Sequence, residues 1–294
     1  MAINLDLVKN WTFPTIRQTY SEKDTILYAL ALGFGGQPTS ADELAFVYER
    51  HLQAVPTMST TLCHPGFWIS DPKTGIDASR AVHGEQKVVF HSPLPAKGTV
   101  RGQARVVDVI DKGKGKGALL IVARTLHNDE SGALLASLEQ RIMCRGDGGF
   151  AEQPATTSEP VGQSKQPLVN AKPDHVVSTP TLPQAALIYR LCADMNPLHA
   201  DPLIALSAGF ERPILHGLCT YGVAARAIIQ ACCANDPTAL KQFSARFSAP
   251  VFPGETLQTD IWQESGGVRF RCLIPERNVV VISNGFAEIT AASH

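Results

Sequence analysis

Alternation of apolar and polar positions is clearest in two blocks of the chain. Val100 to Ile110, Leu119 to Leu126 and Leu134 to Met143 alternate and are rich in β-branched residues, so they predict three strands. Leu257 to Gln263, Val268 to Ile274 and Val279 to Ile289 predict three more, with turns at Lys112-Gly113-Lys114-Gly115-Lys116-Gly117 and Ser265-Gly266-Gly267. Leu215 to Ala234 is apolar throughout, holds no proline and follows Pro213, which predicts a long buried helix. The matching stretch of the first block, Met58 to Arg80, contains Pro65, Gly66, Pro72 and Gly75, so no long helix is expected there. If each half is a sheet wrapped around a helix, the first sheet keeps an unfilled apolar concavity, a natural place for a ligand.

Periodicity fails from about Gly146 to Pro173, where Gly, Pro, Ser, Thr, Gln and Lys dominate. The expected organisation is an N-terminal domain over 1–148, a linker over 149–173 and a C-terminal domain over 174–294. The two flanks are weakly similar. Ile26-Leu27-Tyr28 matches Leu187-Ile188-Tyr189 at an offset of 161, and Phe90-His91-Ser92-Pro93 matches Phe247-Ser248-Ala249-Pro250 at an offset of 157. Two matches in the same order at nearly the same offset suggest an old duplication.

Composition narrows the partners. The formal net charge of -1 gives no general attraction to nucleic acid or anionic membrane, so a small molecule is the expected partner. No apolar run approaches a spanning helix, and the N-terminus lacks the apolar core of a secretory signal. Seven cysteines, odd in number and without a Cys-x-x-Cys spacing, fit buried thiols in a reducing compartment such as the cytoplasm. The final Ala292-Ser293-His294 differs from the Ser-Lys-Leu type of peroxisomal address.

Candidate chemistry concentrates in Ala193-Asp194-Met195-Asn196-Pro197-Leu198-His199-Ala200-Asp201-Pro202, where two acids, an amide and an imidazole fall within eight residues bounded by prolines. A regular helix would set Asp194 and His199 roughly 140° apart, so they face one point only if the chain folds back at Pro197. Asp201 before Pro202 also reads as a helix cap. Asp194, Asn196, His199 and Asp201 with His216 form a conceivable metal set, but the two-histidine spacing of zinc helices is absent and no metal is expected. Farther on, Gly217 follows His216 at the start of the long helix and lacks a Cβ. A ligand oxygen can therefore reach its N–H at the positive helix end, unless the glycine serves close packing instead.

Tyr189-Arg190-Leu191 through His199, then Pro213-Ile214-Leu215-His216-Gly217-Leu218-Cys219-Thr220, closely resembles the signature of the MaoC-like hydratase 2 family. Tyr20 to Thr25, His83-Gly84-Glu85-Gln86 and Arg246-Phe247 through Pro253-Gly254 resemble its eukaryotic two-hotdog form. The resemblance implies an α+β double hotdog of two antiparallel sheets, with a long central helix in the catalytic C-terminal half. It implies a reduced or missing helix in the N-terminal half, which then admits bulky acyl chains. The implied activity is reversible hydration of trans-2-enoyl-CoA to (3R)-3-hydroxyacyl-CoA in fatty-acid metabolism. Asp194 and His199 match the dyad, Asn196 its orienting amide and Gly217 the donor to the thioester oxygen. His83, Gly84 and His216 are expected at the substrate, and Arg246 with Lys112, Lys114 and Lys116 are candidates for the coenzyme A phosphates. Coenzyme A enters as part of the substrate and no cofactor is expected; the expected assembly is a homodimer. Gly33 and Gly35 stand where a second dyad would need Asp194 and Asn196, so one site per chain follows. A dehydratase of carrier-protein thioesters, a silent acyl-CoA binding module and a thioesterase remain as alternatives, because fold alone does not choose among them.

Overall fold

All six strands expected from alternation form, with ends within two residues of the expectation, and four more flank them. The computed structural model describes residues 3–153, 171–192 and 194–290. In chain order the first half comprises α1 (Leu5–Lys9), β1 (Ile16–Tyr20), α2 (Glu22–Ala31), α3 (Ala41–Val47), β2 (Ala81–Phe90), β3 (Gly98–Asp111), β4 (Ala118–Asn128) and β5 (Leu134–Cys144). The second comprises β6 (His175–Pro180), α4 (Ala185–Tyr189), α5 (Pro202–Ser207), α6 (Gly217–Cys232), β7 (Leu240–Phe247), β8 (Thr256–Glu264), β9 (Gly267–Ile274) and β10 (Val279–Ile289). The chain is an α+β double hotdog, and the linker expected over 149–173 falls between β5 and β6, mostly outside the described residues.

One expectation needs correction: the strands form a single antiparallel sheet in the order β1-β3-β4-β5-β2-β7-β10-β9-β8-β6, not two sheets. The halves join where β2 pairs with β7, from Glu85↔Arg246 to Val89↔Gln242. Each half-sheet would otherwise end in an open edge at this point, and mutual pairing satisfies both rows of backbone groups. The register carries the duplication. Moving both members of Glu85↔Arg246 to their equivalents at the offset of 157 gives Val89↔Gln242, an observed pair. Shifting Ile16↔Gly102 by 161 and 157 gives Val177↔Thr259, also observed. The equivalents Tyr28 and Tyr189 meet with ring centroids 5.9 Å apart. The halves therefore share one core, to which the first contributes Tyr28, Phe46 and Leu126 and the second Tyr221, Phe243 and Phe270.

Helix α6 runs through the second half as expected and packs on α2 so closely that a Cβ on Gly222 would lie 2.5 Å from Leu32 Cδ2. Residues 56–80 form short 3-10 turns at Pro56–Thr60, Trp68–Ser70, Pro72–Thr74 and Ala78–Arg80. They fill more of the first concavity than expected. Met58 and Leu62 are buried in the common core, and Ile69 joins Val8, Phe13, Leu120 and Ile142 in a second, smaller one. Phe67, in the same segment, turns outward and is 60% exposed. What stays open is a cavity of about 440 Å³ bounded by Pro56, Phe90, Leu94, Leu135, Ala136 and Leu240. Among the described residues no helix is long and apolar enough to cross a membrane.

Candidate active site

The loop after α4 is built by its own polar groups. Asn196 Oδ1 accepts the Leu198 N–H at 3.0 Å and so caps the 3-10 turn Pro197–His199, while the Asn196 N–H donates to Asp194 Oδ1 at 2.9 Å. Asn196 thus holds Asp194 through its backbone and the His199 turn through its side chain. Asp201 does what its place before Pro202 suggested, accepting the Leu203 N–H at 2.8 Å at the start of α5.

Folding back at Pro197 brings carboxylate and imidazole together: ligand atoms of Asp194, His199 and His216 all lie within 4.8 Å of one another. His199 Nδ1 donates to the Ile214 carbonyl at 2.9 Å, since a carbonyl can only accept, which leaves Nε2 as a bare lone pair. His216, the N-cap of α6, donates from Nε2 to the Asp194 carbonyl at 3.0 Å and leaves Nδ1 without a partner. The two rings stack, centroids 3.7 Å apart and planes 28° from parallel. Burial pushes His199 below the ordinary imidazole range, against the Ile214 hydrogen bond and the Asp194 charge. Burial, then His199, brings His216 down to about 4. Both rings are neutral at neutral pH.

Gly217 is the first residue of α6, and its N–H has no acceptor among the described residues. A Cβ there would meet the Phe247 ring at 3.5 Å, an ordinary contact, so packing does not require the glycine. Phe247 in turn touches His83, with ring centroids 4.9 Å apart. Strict alternation would turn His83 outward with Glu85, but the register against β5 slips between them, and the extra residue Gly84 re-aims the imidazole inward. A side chain at Gly84 would crowd the Arg141 carbonyl at 3.3 Å. His83 Nε2 is buried without a partner, and burial, then His64, pushes its pKa down to about 4.

The remaining candidates lie farther out. Arg246 is exposed, opposite Glu85, and alternates away from the inward Phe247. Lys112, Lys114 and Lys116 sit in the β3–β4 turn, with β5 between that strand pair and β2. Two residues went unnoticed in the sequence. His64 is exposed, yet desolvation of its ring, with the Arg124 charge adding to it and the Asp194 charge opposing, pushes its pKa down to about 4. Arg124 is buried at an inward position of β4, a charge in the run Leu119 to Leu126 that alternation alone marks as an exception. At the worn copy, Gly33 and Gly35 both have left-handed backbones, and the space a Cβ on Gly33 would take is held by Arg226 Nη1 at 2.8 Å. Arg226 pairs with Glu43 at 2.8 Å, so an ion pair occupies this loop.

Known proteins match nearly the whole chain. Residues 164–283 match the MaoC like domain and residues 18–146 the MFE-2 hydratase 2 N-terminal domain. The chain is 39% identical to a protein of Arabidopsis thaliana named enoyl-CoA hydratase 2, peroxisomal, over 99% of this chain and 96% of the relative. It is 36% identical to 3-hydroxyacyl-thioester dehydratase Y of Mycobacterium tuberculosis, over 99% and 100%. The crystal structure of a MaoC-like dehydratase from Phytophthora capsici superposes with a TM-score of 0.82 at 33% identity, covering 99% of this chain and 100% of that one.

Proposed function

The chain belongs to the MaoC-like hydratase 2 family, and from that premise we propose that it reversibly hydrates trans-2-enoyl-CoA to (3R)-3-hydroxyacyl-CoA. The observation that carries this reading is the convergence of Asp194 and His199 beside the unengaged N–H of Gly217. A water held by its two protons between the Asp194 carboxylate and bare His199 Nε2 presents its oxygen to C3 of the substrate. His199 Nε2 carries no proton to give. The proton that ends on C2 is then the one the water surrendered, returned by the group that took it. Such a transfer is worth about 10²–10⁴-fold. Electron density displaced from the double bond collects on the thioester oxygen, where the Gly217 N–H, at the positive end of α6, opposes it. Oxyanion donors of this kind contribute roughly 3–4 kcal/mol.

His216 holds the Asp194 backbone and His83 closes the inner wall, so both serve the site without exchanging protons. No metal enters the mechanism. Asp194, His199 and His216 lie close enough for an ion to be tested there, and activity that survives chelation is the expected result. The coenzyme A phosphates fall to Arg246 and the lysine turn, and the active form is a homodimer, for which sedimentation is the test. Hydration of crotonyl-CoA with chiral analysis of the product tests the activity. No turnover, or the S product, would overturn it. The dehydratase name of one relative supports a second reading, the reverse reaction on carrier-protein thioesters, and a preference for those over coenzyme A thioesters would favour it.

A further inference from the structure

Beyond His83, the inner face of β2–β5 carries a further polar patch. Gln86, Gln140 and Arg124 stand on three neighbouring strands, and Thr60, His64 and Leu218 close over them around a small cavity. Arg124 is only 8% exposed. Its Nη2 donates to the carbonyls of Thr60 at 2.7 Å and Ser59 at 3.4 Å, while its Nε finds no partner. No carboxylate pairs with it among the described residues, and Cys63 is the group that most favours its charge. Burial lowers its pKa to about 10, which still leaves a cation at neutral pH. Pinning a turn by two carbonyls needs only a neutral donor, whereas a buried guanidinium carries a desolvation cost that carbonyls only partly offset. A planar guanidinium matches a carboxylate better than any other partner.

The patch adjoins the start of α6: its wall includes Leu218, which follows Gly217, and His64, which feels the charges of both Arg124 and Asp194. Along β2, Gln86 lies three residues from His83, roughly 10 Å at strand rise. An acyl chain leaving the thioester along this face meets the guanidinium a few carbons from the double bond.

We propose that Arg124 receives a carboxylate carried on the acyl chain, so that the site selects 2-enoyl-CoA thioesters ending in a second acid group at medium length. The proposal rests on the hydratase reading for its substrate class. Gln86 and Gln140 supply polar walls beside the pair, and Thr60 fixes the guanidinium plane. An alkyl chain of the same length ends against a cation and gains nothing from it.

The test compares three 2-enoyl-CoA thioesters of matched length, about six to ten carbons, ending in a carboxylate, its methyl ester or a methyl group. Turnover is measured with the wild type, Arg124→Met and Arg124→Lys, and binding of the saturated analogues by calorimetry. The expected result is a ratio of kcat/KM, acid over alkyl, of at least tenfold in the wild type. That ratio should invert in Arg124→Met and partly survive in Arg124→Lys, with the same ranking in binding. A wild type indifferent to the acid, an ester as good as the acid, or an Arg124→Met variant that loses both substrates equally would overturn the proposal. The last outcome would reduce Arg124 to a pin for the Ser59–Thr60 turn. Binding preference without any hydration would sink the hydratase reading and leave the carboxylate site standing.

Discussion

Gly217 has room for a methyl group against Phe247, so Gly217→Ala should fold normally yet lose activity, because the added Cβ stands where the thioester oxygen approaches. A drop in kcat of about 10²-fold with an unchanged melting temperature is expected; full activity would show that the thioester oxygen does not approach across this Cα. Asp194→Asn and His199→Gln should each cut kcat by at least about 10²-fold in a folded protein, since each removes one of two proton acceptors around the water. The same neutral rings set the pH response. Because burial holds His199 below its ordinary value, kcat should stay level as pH falls through about 6.5 and decline only at lower pH. His83 and His216, both down to about 4, bind no proton in the native state where an unfolded chain already does. Their contribution to stability is complete above about pH 6.5 and is lost as pH falls towards 4, so the melting temperature should drop between pH 7 and pH 5. Equal melting temperatures at both would show that these rings take up protons freely.

At the scale of elements, α6 fills the second half while a run of 3-10 turns only partly fills the first. The open remainder, about 440 Å³ beside Phe90 and Ala136, lies on the face that carries Gln86 but seven residues along β2 from His83, roughly 20 Å from the reacting carbons. Only long chains reach it, and each methylene buried there favours binding by up to about 0.8 kcal/mol. Ala136→Phe should therefore lower kcat/KM for hexadecenoyl-CoA far more than for crotonyl-CoA. Equal losses would mean that the chamber is not part of the acyl path. Strand alternation and the apolar run of α6 made these elements legible in advance. The 56–80 segment was legible only as a non-helix, because prolines and glycines exclude a helix without saying which side chains turn inward. Leu62 proved buried and Phe67 exposed for that reason.

For the molecule as a whole, the joint between β2 and β7 makes two old repeats one cooperative body. Ser244 lies on the pseudo-twofold centre opposite Lys87, and proline there removes a ladder hydrogen bond at the middle of the sheet. Ser244→Pro should destabilise both halves together, in one thermal transition that ends lower. Two separate transitions would show that the halves are independent.

The sequence by itself determined six of the ten strands, the central helix, the worn first copy and the segment that holds Asp194 and His199. Each of these is a local matter of periodicity, proline placement or residues close in the chain. The tertiary structure alone decided that the two sheets are one, because edge pairing of β2 with β7 depends on geometry far apart in sequence. It also decided that Asn196 acts through its backbone N–H as well as its side chain, and that Gly84 turns His83 inward. Arg124 holds the Ser59–Thr60 turn from more than 60 residues away in the chain, and His64 of the first half feels the charge of Asp194 in the second, pairings that no local pattern announces. A charge on an inward strand position was visible as an exception, but its neighbours were not.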